Sequence, residues 1–224
     1  MKSMTVIFPL LGIWQVVTSP ADHVPSHYTD AWGMTYAFDF AKSEDAKFSL
    51  FARLKGVNIQ ACKAWNAEVI SPITGRVVEV QNNAPDRKRL SLFKDVISGI
   101  YPILLGKKTR RLNKIFGNYV IIEGTSCCCL LAHLKGSTIG LKAGDYIKAG
   151  DYIGRIGHSG SSQKPHLHFQ LMDSPNLFES KGIPANFDLI SKDDEDKWVE
   201  LQKFVPPRHQ VIQAANKALQ QTSR

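Results

Sequence analysis

Short apolar runs broken by glycine and proline set the rhythm of most of this chain, and alternation within the runs points to strands rather than helices. Residues 5–18 read as one or two strands interrupted at Pro9 and Gly12. Tyr36-Ala37-Phe38-Asp39-Phe40 alternates cleanly, with Tyr36, Phe38 and Phe40 on one face and Asp39 beside Ala37 on the other. Residues 68–80 read as strand, turn, strand. Residues 117–124 form a strand ending in a turn, and Cys127 to Leu134 is its expected hairpin partner. Two Ala-Gly-Asp-Tyr-Ile units, at 143–147 and 149–153, read as short strands and turns. The pattern predicts a β-rich fold, mainly antiparallel, sandwich-like or barrel-like.

Four stretches break the β rhythm. Residues 41–66 are polar and irregular, with a short helix expected around Ala46–Leu54. In residues 82–116, Leu92, Phe93, Val96, Ile97 and Ile100 have helical spacing, which predicts an inserted amphipathic helix. From Asp86 to Lys114 this insertion holds nine Lys or Arg against two Asp, most of the net charge of the chain. A short helix is expected over Lys197–Phe204, and the tail from His209 to Arg224 has a helical composition. The expected organisation is one β-rich domain over residues 1–190, with the basic insertion, followed by a C-terminal extension over 191–224.

At 224 residues the chain suits one large domain with appendages. A net charge of +8 favours anionic partners such as nucleic acid, a membrane surface or an anionic cell-wall polymer. No aromatic-studded strand or recognition-helix pattern accompanies the charge, so nucleic acid is not expected. No apolar run reaches transmembrane length. The apolar N-terminus has only Lys2 as a positive region, is interrupted by Pro9 and Gly12, and continues into strand-like residues. It reads as part of the mature fold rather than a signal peptide. Cys62 and the run Cys127-Cys128-Cys129 form neither a disulfide framework nor a Cys-x-x-Cys zinc knuckle; they read as small apolar fillers of a strand.

The stretch of greatest chemical interest is Gly157-His158-Ser159-Gly160-Ser161-Ser162-Gln163-Lys164-Pro165-His166-Leu167-His168-Phe169-Gln170. A Gly/Ser-rich loop reaches Pro165, which favours extended backbone, and alternation then predicts a strand. His166 and His168 project from one face and Leu167 from the other. Two adjacent imidazoles resist joint protonation, and a divalent metal relieves the conflict because it binds the neutral ring. His27, Asp39, His133, His166 and His168 together supply three His/Asp ligands, the set a catalytic zinc takes, and leave two histidines over.

With these residues assembled, the sequence resembles the M23 family of lysostaphin-like, LytM-type zinc endopeptidases. The carrying motifs are His27 followed by Tyr36-Ala37-Phe38-Asp39-Phe40, then Leu131-Ala132-His133-Leu134, then Gly157-His158-Ser159-Gly160 and Pro165-His166-Leu167-His168-Phe169. The resemblance covers about residues 10–173 apart from the insertion, and implies a LytM-type fold. It implies that His27, Asp39 and His168 bind Zn2+ and that His133 and His166 are the catalytic histidines. Two departures stand out. His27 and Asp39 are twelve residues apart, longer than in many members, which leaves His23 as the alternative first ligand. His158 stands where Asn is usual.

The implied activity is zinc-dependent hydrolysis of a peptide bond, with peptide or peptidoglycan cross-links as substrate and an anionic cell-wall polymer as a further partner. One free histidine would act as general base and the other would stabilise the oxyanion. The alternative is a non-catalytic LytM-like module that binds or activates partners.

Overall fold

The computed structural model describes residues 3–46, 54–91, 97 and 111–215. Its strands are β1 (Met4–Val6), β2 (Trp14–Thr18), β3 (Phe38–Ala41), β4 (Val57–Asn58), β5 (Glu68–Ile70), β6 (Gly75–Gln81), β7 (Arg89–Leu90) and β8 (Asn118–Glu123). They continue as β9 (Cys128–Leu134), β10 (Tyr146–Ile147), β11 (Tyr152–Arg155), β12 (Leu167–Met172), β13 (Gly182–Ile183), β14 (Ala185–Lys192), β15 (Trp198–Phe204) and β16 (Val211–Ala214). Among the described residues, twelve of these form one sheet, in the order β1-β14-β16-β2-β3-β12-β9-β8-β6-β10, with β13 on β12 and β15 on β14. Every pairing in it is antiparallel except the parallel contact of β1 with β14. The sheet does not close on itself, so the fold is β-rich and mixed but not a barrel.

The centre of the sheet is apolar on both faces. Along β9, Cys129 and Leu131 enter one core with Phe8, Trp14, Phe38, Phe40, Phe169 and Phe187. Cys128, Leu130 and Ala132 enter a second core with Trp32, Met34, Phe116 and Tyr119. Alternation therefore sorts the cysteines between two cores, and all four are free and buried, as small apolar fillers should be. Phe8, Leu10 and Trp14 are buried in the first core, so the N-terminal apolar run builds the sheet. The second face is covered by a 3-10 segment, Ala31–Tyr36, and one helical turn, Leu112–Ile115.

Two helical expectations are corrected. Trp198–Phe204 is strand β15, hydrogen-bonded along β14. Val211–Ala214, in the tail expected to be helical, is strand β16, lying between β14 and β2. In both places sheet pairing overrides local helix propensity. The helix expected around Ala46–Leu54 and the amphipathic stretch Leu92–Ile100 fall largely outside the described residues, as do residues 216–224. No helix among the described residues is long and apolar enough to cross a membrane.

Candidate metal and catalytic site

The site lies across the middle of the sheet. On the antiparallel pair β3–β12, His168 sits directly opposite Asp39, and Thr18 of β2 is opposite Asp39 on the other side. Facing residues of neighbouring strands bring their side chains together, so this register by itself assembles a carboxylate and an imidazole. His168 Nδ1 is 3.0 Å from Asp39 Oδ1, and His166 Nε2 is 3.5 Å from the same oxygen. The loop between β2 and β3 returns His27, whose Nε2 is 3.0 Å from Asp39 Oδ2.

His133 arrives by a less obvious route. Asn118 pairs with Leu134 and Tyr119 with Ala132, so His133 is an extra residue in β9, a β-bulge. Its φ of +61° lies in the left-handed region, which costs a non-glycine residue about 1–3 kcal/mol and persists only where the surroundings hold it. Strict alternation would put His133 on the face opposite Ala132. The bulge instead brings its ring to 4.7 Å from that of His166 and 5.9 Å from that of His168, centroid to centroid.

The hydrogen bonds at the outer nitrogens decide what the inner ones can do. Gln170 donates its amide to the Trp32 carbonyl, so its oxygen is the acceptor that faces His168 Nε2 at 2.9 Å. His168 therefore carries its proton on Nε2 and turns the Nδ1 lone pair toward Asp39. Ser26 donates its hydroxyl to the Met34 carbonyl and accepts from His27 Nδ1 at 3.1 Å, which leaves the Nε2 lone pair toward Asp39. His133 Nδ1 donates to the Ser159 carbonyl at 3.0 Å, and His166 Nδ1 to the Lys164 carbonyl at 2.7 Å. Four imidazoles are thus each fixed in one tautomer by a protein acceptor, as ligating and base histidines are elsewhere.

Burial pushes the Asp39 carboxyl up, but the positive charge that His27 and His166 can carry beside it outweighs burial and holds the group well below the usual carboxylate range. The carboxylate therefore demands positive charge beside it. Burial pushes His168 down despite Asp39, and pushes His133 well down with help from His166 and His168. Charged imidazoles are a poor answer in so buried a place. A cation is a better one: the ligand atoms of His27, Asp39 and His168 all lie within 4.8 Å of one another. Two imidazole lone pairs pointed at an anionic carboxylate repel unless a metal stands among them, and this donor set suits zinc. Thr18 Oγ1 donates to Asp39 Oδ2 at 3.0 Å and steadies the carboxylate.

All five candidate residues from the sequence meet at one cleft of about 580 Å³. His23, the alternative first ligand, lies at its rim with its ring against Tyr28, 4.5 Å between centroids, and is not among the converging groups. Thr18, Ser26 and Gln170, which steady the site, were not among the sequence candidates. Gln170 stands two residues past His168, on the same strand face by alternation, and that spacing was the available signal; Thr18 and Ser26 carried none.

Comparison with known proteins finds similarity to peptidases. The model of peptidase family M23 matches residues 103–180. A protein of Buchnera aphidicola subsp. Baizongia pistaciae (strain Bp), described as an uncharacterized metalloprotease, is 32% identical over 76 residues, 34% of this chain and 20% of that protein. The chain thus spans about a fifth of the length of that relative. Among solved structures, the catalytic domain of the antimicrobial peptidase lysostaphin from Staphylococcus simulans is 22% identical, covering 67% of this chain and 76% of that one, with a TM-score of 0.38. The catalytic domain of the prophage-encoded M23 protein EnpA from Enterococcus faecalis, in a point-mutant form, is 19% identical, covering 66% and 73%, with a TM-score of 0.39. The matched stretch carries His133, His166 and His168, and over that stretch the chain is similar to peptidase family M23.

Proposed function

We propose that this protein is a zinc-dependent endopeptidase that hydrolyses peptide bonds, with the cross-linking peptides of bacterial cell walls as its substrate class. The observation that carries the reading is the convergence of the His27, Asp39 and His168 ligand atoms beside two further histidines whose outer nitrogens are already occupied. His27 Nε2, an Asp39 oxygen and His168 Nδ1 would hold the metal. Zinc bound there supplies a Lewis acid for the scissile carbonyl and lowers the pKa of a coordinated water.

The chain's own residues do the rest. His133, held uncharged by burial and with Nδ1–H tied to Ser159, offers Nε2 as general base for the attacking water. His166, across a ring separation of 4.7 Å, stabilises developing negative charge on the substrate oxygen when its Nε2 is protonated, and the proton that His133 takes from the water is the one that passes to the leaving amine. Gln170, Ser26, Ser159 and Lys164 keep the four rings aimed, so little reorganisation accompanies the reaction. The family match and the cell-wall peptidases among M23 proteins support the substrate class; a peptide, being slender and extended, suits an open cleft across a sheet.

Elemental analysis and peptidoglycan digestion test the reading together. The purified protein should hold one zinc and release new amino groups from peptidoglycan. A metal-free protein that gains no thermal stability from added zinc would sink it.

A further inference from the structure

The Gly/Ser-rich loop before the His-Leu-His strand supplies the acceptor carbonyls for both proton-transfer histidines: Ser159 for His133 and Lys164 for His166. What holds that loop is Arg87, at the start of the basic insertion. Its guanidinium donates to the Gly160 carbonyl at 2.5 Å and to the Ser162 carbonyl, and its Nε is 3.3 Å from His158 Nε2. Asp86 completes the hold, accepting from the backbone N–H of His158 at 2.6 Å and of Gly136 at 2.9 Å. His158 and Ser162 are both fully buried.

The polarity of this arrangement runs in one direction. Arginine is always a donor, and Arg87 faces both ring nitrogens of His158, its Nε 3.3 Å from Nε2 and its Nη2 3.4 Å from Nδ1, so the ring proton is placed by the next partner, Ser162. Because the one hydrogen of Ser162 goes to the Lys164 carbonyl, its oxygen can only accept from His158 Nδ1, at 3.1 Å; the ring proton therefore sits on Nδ1 and Nε2 accepts from Arg87. Ser162 turns its own hydrogen to the Lys164 carbonyl at 2.5 Å, and its oxygen lies 3.2 Å from His166 Nδ1. His166 Nδ1 thus faces two acceptors, the Lys164 carbonyl and the Ser162 oxygen, and must carry the ring proton there. We propose that Arg87, His158 and Ser162 form a hydrogen-bond relay that fixes His166 as the Nδ1–H tautomer, leaving Nε2 for chemistry. All three are positioning residues, and the relay gives a role to the first residues of the basic insertion and to the histidine at position 158. It rests on the proposed peptidase activity only for its effect on turnover; the tautomer itself is independent of that reading.

The test compares His158→Leu with His158→Asn. Asparagine can accept from Arg87 with its oxygen and donate to Ser162 with its amide, while leucine fills the space and does neither. Long-range proton–nitrogen NMR of the metal-free, histidine-labelled protein at alkaline pH reads the tautomer directly. We expect a single Nδ1–H form of His166 in the parent and in His158→Asn, and a mixture in His158→Leu. With zinc restored and its content unchanged, His158→Leu should lose roughly 10- to 100-fold in kcat with KM little altered, the usual cost of losing an orienting partner, and His158→Asn should recover most of it. Should His158→Leu not fold, Ser162→Ala against Ser162→Thr asks the same question, with alanine expected to mix the tautomers and threonine not. A His166 that stays wholly Nδ1–H in the leucine and alanine variants overturns the relay, as does an asparagine variant that folds yet behaves like leucine. Absence of peptidase activity in every protein, with the tautomers behaving as expected, would instead remove the proposed function and leave the relay standing.

Discussion

The rings of His133 and His166 lie 4.7 Å apart, and a single extra residue in β9 puts them there. Without the bulge, His133 would follow Cys129 and Leu131 into the first apolar core. With it, the ring turns to the face that carries Asp39, His166 and His168. Bulges beside functional sites commonly re-aim one side chain in this way. Here the cost of a left-handed histidine is offset by backbone hydrogen bonds on both sides: His133 N–H donates to the Phe116 carbonyl at 2.9 Å, and the His133 carbonyl accepts from Gly157 at 2.9 Å.

His133 and His166, proposed for proton transfer, should separate from the proposed ligands in their phenotypes. His133→Ala and His166→Ala are expected to keep stoichiometric zinc and lose about 10²- to 10⁴-fold in turnover, the worth of a positioned acid or base. Metal content and single-turnover rate, measured on the same preparations, check this. A metal-free His133→Ala or His166→Ala would move that residue into the ligand set.

His27, rather than His23, is the proposed first ligand. His27 Nε2 is 3.0 Å from Asp39 and its Nδ1 is held by Ser26, whereas His23 is exposed and its ring leans on Tyr28. His27→Ala should abolish zinc binding, and His23→Ala should leave zinc affinity within a few-fold. Metal titration of both variants reads the difference, and a zinc-loaded His27→Ala beside a zinc-free His23→Ala would reverse the assignment.

Gly117 is where the Ser159 loop comes closest to β8. A Cβ there would lie 2.3 Å from Ser159 Oγ and 2.5 Å from the Ser159 carbonyl carbon, and φ is +65°. Both the clash and the left-handed backbone oppose a side chain. Gly117→Ala should destabilise by about 1–3 kcal/mol, measured by denaturant unfolding. It should also lower turnover, because the shifted Ser159 carbonyl is the acceptor that orients His133. An alanine variant as stable and active as the parent would show that the loop is not seated as described.

The cysteine run should be chemically silent. Burial pushes the thiols of Cys127, Cys128 and Cys129 up, Cys128 to about 12 with Glu123, Cys127 and Asp173 contributing, and only the thiolate reacts. A thiol reagent at mildly alkaline pH should therefore modify none of the three until denaturant is added. Rapid labelling of the folded protein would show that β9 opens locally.

The strands around the site were legible in the sequence because short apolar runs bounded by glycine and proline mark them and alternation sorts their residues between two faces, both of which are local properties. So Phe38 and Phe40 predicted the core face of β3 and thereby the face of Asp39, and Leu167 did the same for His166 and His168. The histidines themselves and the family resemblance were also legible, since they lie in the chain. Helical composition at Lys197–Phe204 and at Val211–Ala214 misled, because β14 and β2 offer backbone partners that propensity does not see. Three things belonged to the tertiary structure alone. The register set His168 opposite Asp39; a one-residue slip would have sent one of them to the other face. The bulge turned His133 against its own alternation. The outer hydrogen bonds to Gln170, Ser26, Ser159 and Lys164, drawn from three segments, chose which nitrogen of each ring is left for a metal or a proton. The register, the bulge, the Ser159–His133 bond and the Trp32 carbonyl that turns Gln170 all join residues far apart in sequence, and no local period encodes them.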